Sequence, residues 1–194
     1  MRRIYFVILG YLLCTLLMAQ NPSDAAVQTD DTTPIYSSEL VQKAMSGDVD
    51  AQLNLGLMYD NGQGVVQNYK EAFHWHQKAA EQGESSAQIS LGLFYYDGKG
   101  VKQDYKEAVK WFKLAAEQGD TSAQYNLGLA YYQGKGVVVD YKKAYFWILL
   151  ARANGDKDIF EHGHIAIDEI EKKLSPAQME LIQERASKWF SEHQ

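Results

Sequence analysis

Apolar residues along this chain recur with helical spacing, and the helices they define recur every 36 residues. Ala51, Leu55 and Tyr59 stand at i, i+4 and i+8, one face of a helix. Ala72, Trp75 and Ala79 stand at i, i+3 and i+7 and predict the buried face of a second helix. Ala51-Gln52, Ala87-Gln88 and Ala123-Gln124 open the three blocks, and Trp75, Trp111 and Trp147 stand near their ends. Gly56, Gly92 and Gly128 fall inside the first helix of each block. A mid-helix Gly costs about 1 kcal/mol relative to Ala, so its return predicts a neighbouring helix too close for a side chain. Gly62-Gln63-Gly64-Val65 and its counterparts at Gly98 and Gly134 break the helix and predict a turn.

Asn68, Asp104 and Asp140 are suited to N-cap the second helices. Glu71 and Glu107, three residues on, predict capping boxes. Lys143 replaces that Glu in the third block and predicts a weaker cap. Small Ala79 and Ala80 permit close approach of the next helix, and Gly83 fits the left-handed residue that ends the second helix. A unit this short cannot bury its own core, so the blocks must stack into a solenoid.

The pattern extends past both ends of the blocks. Tyr36 to Ser46 occupies the second-helix register and predicts an N-terminal half-repeat over 35–48, followed by repeats at 49–84, 85–120 and 121–156. Asp158 to Leu174 remains helical but loses the signature, with Gly163 and His164 where Leu127 and Gly128 would stand. Ser175-Pro176-Ala177-Gln178 carries N-cap, first-turn Pro and a Gln three residues on. Met179, Ile182, Ala186 and Phe190 form the apolar stripe of that last helix, opposite Glu184, Arg185 and Lys188. Residues 157–194 are therefore expected to cap the stack. The fold class is all-α, a right-handed α-solenoid of antiparallel helix pairs.

The N-terminus differs from all of this. Met1-Arg2-Arg3 precedes an uncharged apolar run from Ile4 to Ala19, the form of a secretory signal peptide over 1–19. Cleavage fits after Ala19 or after Ala25, and an uncleaved inner-membrane anchor is the alternative. Residues 20–34 are small and polar and predict a disordered spacer. Export to the periplasm or outside the cell is expected. Loss of Arg2 and Arg3 would take the formal charge from -6 to -8. That balance, without a basic run, argues against nucleic acid and anionic lipid as partners. The one Cys, Cys14, lies in the apolar run, and Leu13 before it is too bulky for a lipoprotein site. Its removal would leave no disulfide and no thiol chemistry.

The segment AQLNLGLMYDNGQGVVQNYKEAFHWHQKAAEQG and its two successors closely resemble the Sel-one-like repeat family, a branch of the tetratricopeptide superfamily. The resemblance covers Ala51 to Gly155. Departures are Asn68 for the usual Asp, and Leu150-Ala151-Arg152 for the usual Lys-Ala-Ala. It implies a scaffold that binds partner proteins or peptides, and many bacterial members are exported. Some exported members are linked to penicillin binding and β-lactam hydrolysis, but those carry paired cysteines that bridge their repeats. That activity is not carried over to this chain. The expected protein is a monomeric, non-catalytic adaptor without cofactor. An envelope hydrolase and a secreted effector that binds host protein are the alternatives.

First helices line the concave surface of such a superhelix. A second stripe beside the repeated core positions places Leu53, Ile89 and Tyr125 at equivalent points, then Leu57, Leu93 and Leu129 one turn on, with Asn54, Ser90 and Asn126 beside it. Tyr96 and Tyr132 lie two turns past Ile89 and Tyr125. Without Leu57, Leu93 and Leu129, these residues are the candidate partner-binding set of eight: aromatic anchors, with amides suited to a peptide backbone. If the leucines of the stripe are core instead, only the tyrosines face out. His74 and His76 point about 200° apart around a helix and cannot share a ligand. His162-Gly163-His164 lacks further ligands nearby. The Gly-x-Gly segments lack the third Gly and preceding strand of a nucleotide loop, and no GxSxG, HExxH or CxxC occurs. No catalytic, cofactor or metal residue is assigned.

Overall fold

The computed structural model describes residues 35–154 and 157–193; the expected leader and spacer lie outside them. The described residues form helices α1 (Ser38–Met45), α2 (Val49–Asn61), α3 (Tyr69–Glu81), α4 (Ser85–Asp97) and α5 (Tyr105–Glu117). They continue with α6 (Thr121–Gln133), α7 (Tyr141–Asn154), α8 (Lys157–Glu171) and α9 (Pro176–Glu192). Each helix from α1 to α7 packs on the next, and α9 folds back onto α7. No strand occurs among the described residues. This is the all-α solenoid expected from the repeat.

Local chemistry sets each helix end. Asp48, Glu84 and Asp120 cap α2, α4 and α6, their carboxylates accepting from Ala51, Ala87 and Ala123 N–H at 2.8, 2.6 and 2.7 Å. Gly62, Gly98 and Gly134 end the same helices at φ of 70, 74 and 72°, a conformation open to Gly at little cost. Asn68 and Asp104 cap α3 and α5 as expected. Their capping boxes, however, do not close. The N–H of Asn68 donates instead to the Tyr59 carbonyl at 2.9 Å, and that of Asp104 to the Tyr95 carbonyl at 2.9 Å. The turn has already used the donor that Glu71 and Glu107 would have accepted, and Glu107 pairs with Lys110. The third cap is accordingly not lost with Glu: Asp140 accepts from the Lys143 N–H at 3.0 Å. The box at Ser175 and Gln178 is complete.

Gly56, Gly92 and Gly128 do mark close approach. A Cβ on Gly56 would lie 2.6 Å from Nδ1 of His76, on Gly92 2.5 Å from Phe112 Cδ1, and on Gly128 2.5 Å from Ile148 Cγ1. Gly163 in α8 repeats the device one register early, where a Cβ would fall 2.8 Å from Arg152 Cγ and 3.5 Å from Ile148 Cγ2.

Polar stitching joins the repeats. Gln52, Gln88 and Gln124 are buried. Each donates back to a carbonyl of the preceding second helix: Ala44 at 3.0 Å, Ala80 at 3.3 Å and Ala116 at 3.2 Å. Gln82 Nε2 reaches Gln52 Oε1 at 2.8 Å and the Gly47 carbonyl at 3.1 Å. Gln118 makes the same pair of bonds one repeat on, to Gln88 Oε1 at 2.8 Å and the Gly83 carbonyl at 3.1 Å. Asn154, one methylene shorter, occupies the next equivalent position.

Alanines fill most of the remaining interface: Ala72, Ala79, Ala87, Ala108, Ala115, Ala123 and Ala144 are all wholly buried. His76 is the exception. It occupies the place of Phe112 and Ile148, is wholly buried, and packs edge-on to Phe94 with ring centroids 5.7 Å apart. Neither ring nitrogen has a hydrogen-bond partner. Burial pulls its pKa from 6.5 down to about 4.

The unfolded chain therefore binds a proton at His76 at a pH where the folded chain does not. Stability is complete above the unfolded pKa of 6.5, falls as the pH drops toward about 4, and levels off below it, a loss of about 3 kcal/mol in all. His76→Phe is expected to remove that dependence and to add about 1–3 kcal/mol at neutral pH by abolishing an unpaired buried polar group. Urea melts of both proteins at pH of about 7 and about 4 check this. By contrast, Gln88→Leu should cost about 1–3 kcal/mol, because the bonds that Gln88 makes to the Ala80 carbonyl and accepts from the Gln118 amide are both lost.

Candidate partner-binding face

The first helices α2, α4 and α6 each turn one face inward and leave one outside. Positions 51, 52, 55, 56 and 58 of α2, and their equivalents, are buried. Outside lie Asn54, Leu57 and Asn61 in α2, Ser90, Leu93 and Asp97 in α4, and Asn126, Leu129 and Gln133 in α6. Leu57 is 38% and Leu93 39% exposed, although both are aliphatic; Leu129 is half-buried and packs against the C-terminal core cluster. The result is a row of leucines at equivalent positions of successive repeats, flanked by short polar side chains one turn before and after.

The eight sequence-predicted residues divide around this row. Leu53, Ile89 and Tyr125 are half-buried, and each packs against the core cluster of the repeat that follows. They seal one repeat to the next, and burial pushes the Tyr125 hydroxyl pKa up. Asn54, Ser90 and Asn126 lie beside the leucines, partly exposed. Two of them are occupied within their own helix: Ser90 Oγ donates to the Ser86 carbonyl at 2.8 Å and Asn126 Nδ2 to the Ser122 carbonyl at 2.9 Å.

Tyr96 and Tyr132 turn toward the start of the second helix. Tyr96 stands edge-on to Tyr105 at 5.1 Å and Tyr132 lies 6.1 Å from Tyr141, between ring centroids. Lys135, from the turn of the next repeat, caps the first pair. Its Nζ lies 4.7 Å from the Tyr96 centroid and 5.5 Å from that of Tyr105, and donates to the Tyr96 hydroxyl. The turn is pressed into place, since a Cβ on Gly136 would lie 2.1 Å from the Tyr105 carbonyl oxygen. Tyr96 is thus held as part of an inter-repeat clamp.

The leucines stand in the sequence three residues after Asn54, Ser90 and Asn126, one helical turn away. That spacing is the signal that marks them as the centre of the face. The electrostatics around them are mild. Burial pushes the Asp60 carboxyl pKa up, and Lys99 opposes it. Among the described residues no three His, Cys, Asp or Glu side chains come together as a metal site.

Stability measurements separate the seals from the open row. Leu93→Ser is expected to leave the unfolding free energy within about 0.5 kcal/mol, as exposed positions do. Tyr125→Ala should lower it by about 2–3 kcal/mol through the void it opens between repeats. Urea titration of each variant reads both.

The repeats match a family model described as Sel1 repeat over 49–84, 85–120 and 121–156. Among solved structures, the chain is similar to a Sel1 repeat protein from Oxalobacter formigenes. That match has 40% identity and a TM-score of 0.59, and covers 65% of this chain and 95% of that one. A protective antigen present in uropathogenic Escherichia coli strains, displaying an SLR fold, is 30% identical with a TM-score of 0.59. The match covers 79% of this chain and 40% of the antigen. The cysteine-rich protein B of Helicobacter pylori is 29% identical with a TM-score of 0.51, over 63% of this chain and 93% of that one. No curated protein matches. With the model matched over more than half its length, at the positions where the glycine contacts and glutamine bonds repeat, the chain belongs to the Sel1 repeat family.

Proposed function

We propose that this protein is an exported, non-catalytic scaffold that receives a segment of a partner protein or peptide on the solvent-facing side of its first helices, the side that lines the concave groove of such a solenoid. The observation that carries this reading is the pair Leu57 and Leu93, exposed to water at equivalent positions, with Leu129 continuing the row half-buried against the C-terminal core. Exposed apolar side chains in register favour a partner that repeats its own apolar contacts along its length. Leu53, Ile89 and Tyr125 shape the walls from below. Asn54, Ser90 and Asn126 supply polar groups beside the row, and Tyr96 and Tyr132 close its far edge.

Family membership supports the same role, since Sel1 repeat proteins generally mediate protein–protein interaction. The Escherichia coli neighbour is described as a protective antigen, which accords with display outside the cytoplasm. The basic, then apolar, N-terminal sequence of this chain supports export on its own terms. No helix among the described residues is long and apolar enough to cross a membrane.

The experiment is proximity labelling in the native cell, followed by binding of the recovered partner to purified protein. Leu57→Ser with Leu93→Ser should weaken that binding about tenfold or more, as loss of two apolar contacts predicts, with the urea midpoint unchanged. Undiminished binding by the folded double variant would overturn the assignment. Turnover of a chromogenic β-lactam or of muropeptides above background would overturn the non-catalytic part, and recovery in the cytoplasmic fraction would overturn export.

A further inference from the structure

Folding α9 back onto α7 brings together cations that are far apart in the chain. Lys142 and Lys143 stand at the start of α7, and Arg185 and Lys188 in the second half of α9. Between them lies a groove of about 500 Å³, floored by Phe146 and Ile182 and edged by Leu181. Leu181 is 66% exposed, one of the most exposed large apolar side chains of the described residues. Of the groove's charged residues four are basic and only Glu184 is acidic, in a chain whose net charge is -6. The basic cluster that no run of sequence displays is therefore made by tertiary structure.

The cations are poorly satisfied where they are. The ion pairs of Lys143 and Lys188 are long and exposed, 3.5 Å to Asp140 and 3.7 Å to Glu192, and such pairs contribute little; Lys143 also stands 5.0 Å from the Tyr131 ring centroid. Lys142 and Arg185 have no ion pair among the described residues. The guanidinium of Arg185 lies 4.6 Å from the centroid of the Phe146 ring. A cation over a ring face is held in place while its N–H groups stay available at the edge. A carboxylate arriving there would find a planar donor set beside an apolar floor.

We propose that the α7–α9 groove is a second docking site, distinct from the first-helix face, for an acidic protein segment with an apolar anchor. Its carboxylates pair with Arg185, Lys142 and Lys188, and an aliphatic or aromatic side chain rests on Phe146, Ile182 and Leu181. The charge pattern selects a short acidic segment over a polyanion. Four cations around one cavity do not form the extended stripe that a nucleic acid backbone tracks, and the net negative charge of the chain repels one at long range. The site uses second-helix and C-terminal residues only, so it stands or falls apart from the leucine row.

The test uses the purified protein and a fluorescein-labelled peptide, Glu-Glu-Leu-Phe-Glu-Glu, in an anisotropy titration. Two control peptides replace Leu-Phe by Ser-Ser, or each Glu by Lys. Saturable binding of the first peptide, weakened about tenfold or more by Arg185→Glu and by either control change, is the expected result. If Arg185→Glu fails to fold, Lys142→Glu, at an exposed position, carries the charge test. In methyl NMR, Leu181 and Ile182 should shift on binding while Leu57 and Leu93 do not. Absence of saturable binding, equal binding of a control peptide, or shifts confined to Leu57 and Leu93 would each overturn the proposal. So would tighter, Arg185-dependent binding of a DNA duplex or of phosphatidylserine vesicles, which would assign the groove to a polyanion or a membrane surface.

Discussion

Everything in this structure depends on how closely one helix can lie against the next. Gly56, Gly92 and Gly128 remove the side chain at the crossing, and His76, Phe112 and Ile148 fill the space that opens. A Cβ at any of the three would push the helices apart by more than packing forgives. Once that spacing is fixed, the alanines of the second helices reach their contacts. The amide of Gln88 also comes within hydrogen-bond range of both the Ala80 carbonyl and Gln118. The apolar contact sets the distance and the buried amides set the register, because an unmet amide in that interface would cost more than its bond contributes.

Most of this architecture was readable in advance from particular residues. Repeated glycines inside a helix make sense only as close contacts, and the repeated N-caps, turns and left-handed glycines have one local meaning each. What could not be read were the competitions. Nothing in Asn68-Tyr69-Lys70-Glu71 shows that the cap's own N–H is already bound to Tyr59, because that bond spans a turn whose path is not local. Gln52, Gln88 and Gln124 were visible as repeats but had no evident partner, since the partner lies in another block. His76 looked ordinary beside His74, although its alignment with Phe112 and Ile148 placed it in the core.

The candidate binding face was legible in outline and shifted in detail. A stripe on the first helices was apparent from the sequence. Which of its members seal repeats and which remain open depended on the angle at which the next helix pair arrives. Leu53 and Leu57 are four residues apart, yet one packs into the following repeat and the other meets water. The α7–α9 groove lay further out of reach. Its cations come from segments some forty residues apart, and α9 had to dock on α7 before they formed one surface.

His76 also gives the stack a preferred place to come undone. A solenoid is close to a one-dimensional chain of neighbours, in which a weak junction divides the array into blocks that melt separately. His76 packs against Gly56 on one side and Phe94 on the other, so the weak junction lies where the first repeat meets the second. In mild acid the N-terminal block, α1 to α3, would fray first. The remainder, with the α7–α9 groove and two of the three leucines, would stay folded. As pH fell, the protein would then lose its reach by one repeat before it lost its structure.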